Sequence, residues 1–172
     1  TIISFSDDQV AKKDFGPSTP GFISIPHNDT KALEAAFASN KNIVGFLVEP
    51  IQGEAGIFTP DEVYLRNVQH LCHEYKVLFI ADEIQTGIAR TGSLLAVCGD
   101  CSCESSCLRQ TDTFAAPDVL ILGKAISGGV YPVSAVLANN DVMGVIQPGE
   151  HGSTFGGNPI AAAVATAALK VV

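Results

Sequence analysis

The chain has 172 residues, 47% of them apolar, a formal net charge of -8, sixteen glycines and nine prolines. This is enough chain for one domain with a sizeable core, and the apolar content excludes a disordered segment. The acidic balance, without a Lys/Arg cluster, argues against a nucleic-acid partner, and the alanine-rich stretch Pro159 to Leu169 is too short to span a bilayer.

The first residues lack an initiator methionine, a basic n-region and an arginine-rich segment, so no targeting signal is legible. The last residues, Val171-Val172, run on inside an apolar helix without a stop signal. Both ends read as cut from something longer. The expectation is a soluble, intracellular protein, with cytoplasm and mitochondrial matrix both open.

Residues 1 to 28 scatter Gly16, Pro17, Pro20, Gly21 and Pro26 among apolars and predict an extended surface entry. Asp29 or Thr30 caps a helix to about Asn40, with Leu33, Ala36 and Phe37 on one face. Residues 44 to 49 then read as a buried strand. Thr59-Pro60-Asp61-Glu62 has the form of a capping box and predicts a helix from there to about Tyr75, burying Leu65, Val68, Leu71 and Cys72. Strands follow at 77 to 81, 119 to 122 and 133 to 137, and Asn158-Pro159 opens a final helix. Strands alternating with helices, each strand continuously apolar, predict an α/β fold with a mainly parallel sheet covered on both faces.

Two of those strands end in chemistry. Val119 to Leu122 leads through Gly123 into Lys124, and the strand at 77 to 81 leads into Asp82-Glu83. Alone, each has an ordinary explanation: a solvated loop lysine, and a carboxylate capping a turn. Ligands bind beyond the carboxyl ends of parallel strands, so the amine and the carboxylate can face one small molecule. Pyridoxal phosphate (PLP) needs such a pair, a lysine to condense with its aldehyde and an acid beside its ring nitrogen.

Four segments in order carry a family resemblance: Glu49-Pro-Ile-Gln-Gly-Glu54-Ala-Gly56, Ile80-Ala-Asp82-Glu-Ile-Gln85-Thr-Gly87, Gly123-Lys124-Ala-Ile-Ser-Gly-Gly129 and His151-Gly-Ser-Thr154-Phe-Gly-Gly-Asn-Pro159. Together they resemble the signature segments of the class III PLP-dependent aminotransferases. The wording Gly-Glu-Ala-Gly and Pro-Gly-Glu-His-Gly-Ser-Thr is most like the members that act on ornithine; members acting on acetylornithine usually read Gly-Glu-Gly-Gly at the first of these places.

The resemblance implies the large domain of PLP fold type I, represented in part by residues 1–172, with the remaining N-terminal segment and a C-terminal small domain outside them. It implies Lys124 as the residue that binds the cofactor covalently and shuttles a proton, and Asp82 as the partner of its ring nitrogen. Gln85 would hydrogen-bond the phenolic oxygen and Ile84 would pack on the ring. Ser153 and Thr154 would serve the phosphate of a neighbouring subunit, making the site a property of a homodimer; the flanking glycines and two hydroxyls suit a dianion. Glu54 would mask a small-domain arginine so that the δ-amine of ornithine is presented first, and Glu49 would support the end of its strand. The implied reaction moves the δ-amino group of L-ornithine to 2-oxoglutarate. Another ω-amine donor, acetylornithine or 4-aminobutyrate, and a non-catalytic fragment whose cysteines bind a metal or a partner are the alternatives.

The departure from the family pattern is a polar, cysteine-rich insert at 97–116 containing Cys98, Cys101, Cys103 and Cys107. Three readings stand for it: an inert surface insert, a redox-active or disulfide loop, and a metal site, the last fitting the C-x-C spacing poorly. His70 and His73 beside Cys72 read as solvated or core-packed, with no metal assigned to the chain.

Overall fold

A computed structural model describes residues 2–6, 8–54, 56–98 and 115–172. At its centre is a four-stranded sheet: β1 (Gly45–Val48), β2 (Leu78–Asp82), β3 (Val119–Leu122) and β4 (Ala135–Ala138), in spatial order β1-β2-β3-β4. The first three strands are parallel, and β4 runs antiparallel to β3. The sheet is therefore mainly parallel, as the sequence predicts.

Its burial is less even than the sequence suggests. Phe79 and Ala81 of β2 are fully enclosed, whereas β1 and β4 are edge strands that leave Leu47, Val136 and Leu137 exposed. A continuous apolar run does not distinguish a central strand from an edge strand whose outer face is bare.

Short helical turns occupy Ile2–Phe5 and α1 (Gln9–Lys12) in an N-terminal region predicted to be wholly extended. Asp8 accounts for the second: its side chain accepts from Val10 N and Ala11 N. Helix α2 (Thr30–Ser39) starts as predicted, with Asp29 Oδ1 accepting from Ala32 N at 2.9 Å, and buries Leu33 and Phe37 one turn apart.

Helix α3 (Tyr64–Tyr75) begins four residues later than its sequence signal at Pro60. The Thr59 side chain caps nothing there. Instead Asn28 Oδ1, from 33 residues upstream, accepts from Asp61 N at 3.1 Å and holds residues 61–63 in a turn. The buried stripe is accordingly Tyr64, Val68 and Cys72, with Leu65 and Leu71 at its margins. The helix stops at Lys76, whose left-handed backbone (φ 57) lets Val77 N reach back to Cys72 O at 2.8 Å and sends the chain into β2.

Leu33, Phe37, Tyr64, Val68, Cys72, Phe79 and Ala81 form one core between α2, α3 and the sheet, joined by Val97 and Ala115. Val97, Cys98 and Ala115 are each at most 1% exposed, so the described ends of the insert at 97–116 are core residues. Cys101, Cys103 and Cys107 lie outside the described residues.

After β4 come α4 (Asn140–Met143) and α5 (Pro159–Leu169). Asn158 caps α5 from its Oδ1 to Ile160 N and Ala161 N, and its Nδ2 donates to the Tyr131 hydroxyl at 2.8 Å. Among the described residues no helix is long and apolar enough to cross a membrane.

Candidate active site

The register of the parallel strands builds the site. Asp118 begins β3 by clamping it to β2: its Oδ2 accepts from Phe79 N at 2.8 Å and its own N–H donates to Phe79 O at 2.9 Å. That pairing sets Asp82, the last residue of β2, beside Ile121 of β3. Three residues beyond Ile121 the chain reaches Lys124, so a carboxylate and an amine emerge from neighbouring strand ends, as the sequence predicts.

Lys124 opens a 3-10 turn (Lys124–Ser127) with its backbone in the left-handed region at φ 41. A side chain there costs on the order of 1 kcal/mol, which a glycine would avoid. Its Nζ donates a hydrogen bond to Gln85 Oε1. The turn is braced by the Ser127 hydroxyl, which donates to Lys124 O at 2.7 Å. A cavity of about 390 Å³ opens beside it, lined by Lys124, Ser127, Pro132, Val133 and Ser134; Asp82 and Gln85 are not in its walls.

On the β2 side the half-buried Asp82 uses Oδ1 to accept from Ile84 N at 3.0 Å. This is the local turn bond expected of an aspartate at a strand end, and it leaves Oδ2 for another partner. Ile84 is wedged against Gly123, where an added Cβ would sit 3.0 Å from Ile84 Cγ2. Gly53 is equally constrained, since an added Cβ would overlap Gln85 Nε2. The two glycines thus make room for the Ile84 and Gln85 side chains, the second of which meets the Lys124 amine.

Gln52 and Phe58 form an isolated antiparallel bridge, with reciprocal backbone bonds of 3.1 Å. Glu54, between the two in sequence, is exposed. Glu49 is half-buried just past β1, its carboxyl pushed above the usual range by burial first and then by the charges of Asp82 and Glu54, while Lys124 and the Gly53 N–H oppose the shift. Glu49 therefore feels the charges of Asp82, Glu54 and Lys124.

Ser153 and Thr154 stand apart in an exposed segment, where Ser153 Oγ accepts from Gly156 N at 2.9 Å. His70 is exposed and pairs with Glu74 at 3.9 Å. Among the described residues no group of three or more His, Cys, Asp or Glu is arranged to hold a metal.

Sequence reasoning passed over Glu83. It is fully buried, accepts from Val97 N at 2.8 Å through Oε1 and receives the Thr86 hydroxyl on Oε2. Its one local sign was a threonine three residues downstream.

The sequence profile of the family described as Aminotransferase class-III matches residues 1–172. The chain is 52% identical to the mitochondrial ornithine aminotransferase of Rattus norvegicus over 172 residues, all of this chain and 36% of the relative. It spans 38% of an ornithine aminotransferase of Plasmodium falciparum, at 49% identity over 99% of this chain. Among solved structures, an ornithine aminotransferase from Toxoplasma gondii with PLP at partial occupancy in its active site superposes with a TM-score of 0.88 at 48% identity, covering 99% of this chain and 37% of that one. An acetylornithine aminotransferase from Elizabethkingia anophelis gives 0.77 at 59% identity over 90% of this chain and 37% of that one. The chain thus spans little more than a third of these relatives, within which its mixed sheet is that of the type I PLP-dependent fold. With the profile matching from end to end and half the residues shared with such relatives, the chain belongs to the class III aminotransferases.

Proposed function

We propose that this chain is the cofactor-bearing part of a homodimeric aminotransferase that moves the δ-amino group of L-ornithine to 2-oxoglutarate, yielding glutamate 5-semialdehyde and glutamate. The observation that carries the reading is the meeting of Lys124 Nζ with Gln85 Oε1 beside the strand end that bears Asp82. An exposed amine, a carboxylate with an uncommitted oxygen and an amide, admitted by glycines at 53 and 123, fit the donor set that PLP requires. When bound, that group supplies an electron sink for the charge left when a C–H bond next to nitrogen is broken.

Lys124 would hold the cofactor through Nζ, and its amine, when free, would take up and return the proton of the amine-bearing carbon. Asp82 keeps a proton on the ring nitrogen through the charge at its carboxylate. Gln85 holds the phenolic oxygen and orients the lysine, and Ile84 closes one face against Gly123. Ser153 and Thr154 hydroxyls donate to the phosphate in the site of a second copy. The exposed Glu54 pairs with an arginine from elsewhere in the protein and so favours a donor that presents its distal amine.

The second reading, an acetylornithine donor, draws on the 59% identity to the Elizabethkingia enzyme. Initial rates with ornithine, N-acetylornithine and 4-aminobutyrate, each against 2-oxoglutarate, decide between them. Ornithine should have the highest kcat/KM by at least tenfold; a reversed order in favour of acetylornithine would move the chain to that branch.

A further inference from the structure

We infer that Glu83 is a positioning residue: its buried carboxylate ties the turn bearing Asp82, Ile84 and Gln85 to the backbone at Val97, and so fixes how the carboxylate and amide face Lys124. The inference rests on the reading of Lys124, Asp82 and Gln85 as the PLP-binding group.

A carboxylate with no solvent exposure is costly to bury unless both oxygens find donors. Here both do. Oε1 accepts from Val97 N at 2.8 Å, fourteen residues away, and Oε2 takes the Thr86 hydroxyl. Val97 is itself enclosed and is held from its other side, its carbonyl accepting from Ala115 N at 3.1 Å. The far end of the clamp is therefore a fixed point of the core.

The near end is a tight turn with two functions on two faces. Gly87 N donates to Glu83 O at 2.9 Å and closes residues 83–87, and a Cβ on Gly87 would lie 2.8 Å from that same carbonyl. Glu83 and Thr86, both buried, point into the core, while Gln85 meets Lys124 and Asp82 bonds Ile84 N. Without the carboxylate, the segment keeps the Glu83 backbone bonds to Ile121 O and Gly87 N, the Ile84 N–Asp82 Oδ1 bond and the Lys124–Gln85 bond, and none of these ties it to Val97. A swing of that segment moves Gln85 away from Lys124 with no change in the strands. A residue that only filled space would have no need of charge, or of partners on both its own turn and the distant 3-10 turn that carries Val97.

The test uses the full-length protein and the variants Glu83→Ala, Glu83→Gln and Thr86→Val. Amide hydrogen exchange is measured without cofactor; PLP affinity and the pH midpoint of the visible band of bound PLP are then measured by titration. In Glu83→Ala, exchange at Val97 and residues 84–87 should accelerate at least tenfold while Phe79 and Ile121 keep their protection. PLP should bind at least tenfold more weakly, and the band midpoint should shift. Glu83→Gln should fall between Glu83→Ala and wild type, because its amide keeps one acceptor. If Glu83→Ala does not fold, Glu83→Gln and Thr86→Val carry the test with smaller changes of the same sign. Unchanged local exchange, or unchanged PLP affinity and band midpoint in folded variants, overturns the proposal. A wild-type protein that binds no PLP sinks the proposed function instead, and the exchange at Val97 still decides whether Glu83 holds the turn.

Discussion

Lys124 Nζ donates to Gln85 Oε1 across the ends of two parallel strands, although 39 residues separate the two in the chain. The contact depends on the register Asp118 imposes between β2 and β3 and on the absence of side chains at Gly53 and Gly123. It places the amine against the turn that follows Asp82 at the end of β2, from which the chemical predictions follow.

Asp82→Asn should retain the cofactor on Lys124 but lower kcat by two or more orders of magnitude, because a neutral amide cannot hold a proton on the ring nitrogen as a carboxylate does. Single-turnover rates with ornithine are the measurement. A kcat within a few-fold of wild type would remove Asp82 from the mechanism.

Glu54→Ala should release the arginine it is proposed to mask, so that α-carboxylates are seized and α-amines turned toward the cofactor. A charge-assisted pair is worth roughly 1.5–3 kcal/mol, so the preference for the δ-amine over α-amino donors such as glutamate should fall by about one to two powers of ten. Product analysis by mass spectrometry reads this directly, and unchanged regiochemistry would make Glu54 a bystander.

Much of this architecture is legible in the sequence, and its limits have physical causes. The run Val119 to Leu122, bounded by Asp118 and Gly123, matches β3 to the residue, and the caps Asp29 and Asn158 start the helices they predict. Such signals are local. The late start of α3 is not, because Asn28 supplies the bond that holds residue 61 outside the helix. Glu83 is illegible for the same reason: whether a carboxylate after a strand meets water or a buried N–H depends on where Val97 returns in space. The bare faces of β1 and β4 depend on what packs against them, which a composition cannot state.

Glu49 gives a prediction about pH. Its carboxyl is raised in the folded state, chiefly by burial and then by Asp82 and Glu54, so folding favours its protonated form. Its contribution to stability is complete below the ordinary carboxyl range and is lost as pH rises through the folded value. Glu49→Gln should therefore be more stable than wild type at pH 7 and equal to it near pH 3. Urea midpoints at both values are the check, and a variant less stable at pH 7 would show that the Gly53 N–H and Lys124 outweigh the burial.

Subunit sharing is tested by complementation. Chains carrying Lys124→Ala, inactive alone, mixed with chains carrying Thr154→Ala should recover activity in heterodimers, where one site is intact at both positions. Heterodimers that form but stay inactive would place Thr154 in its own subunit's site or in none.

The central claim is that Lys124 carries the cofactor, and borohydride reduction of the PLP-loaded full-length protein, followed by proteolysis and peptide mass mapping, tests it most directly. The account predicts loss of the visible band on reduction and a pyridoxyl label on the peptide containing Lys124, absent in Lys124→Ala. A label on Lys76 or Lys170, with Lys124 unmodified, would contradict it.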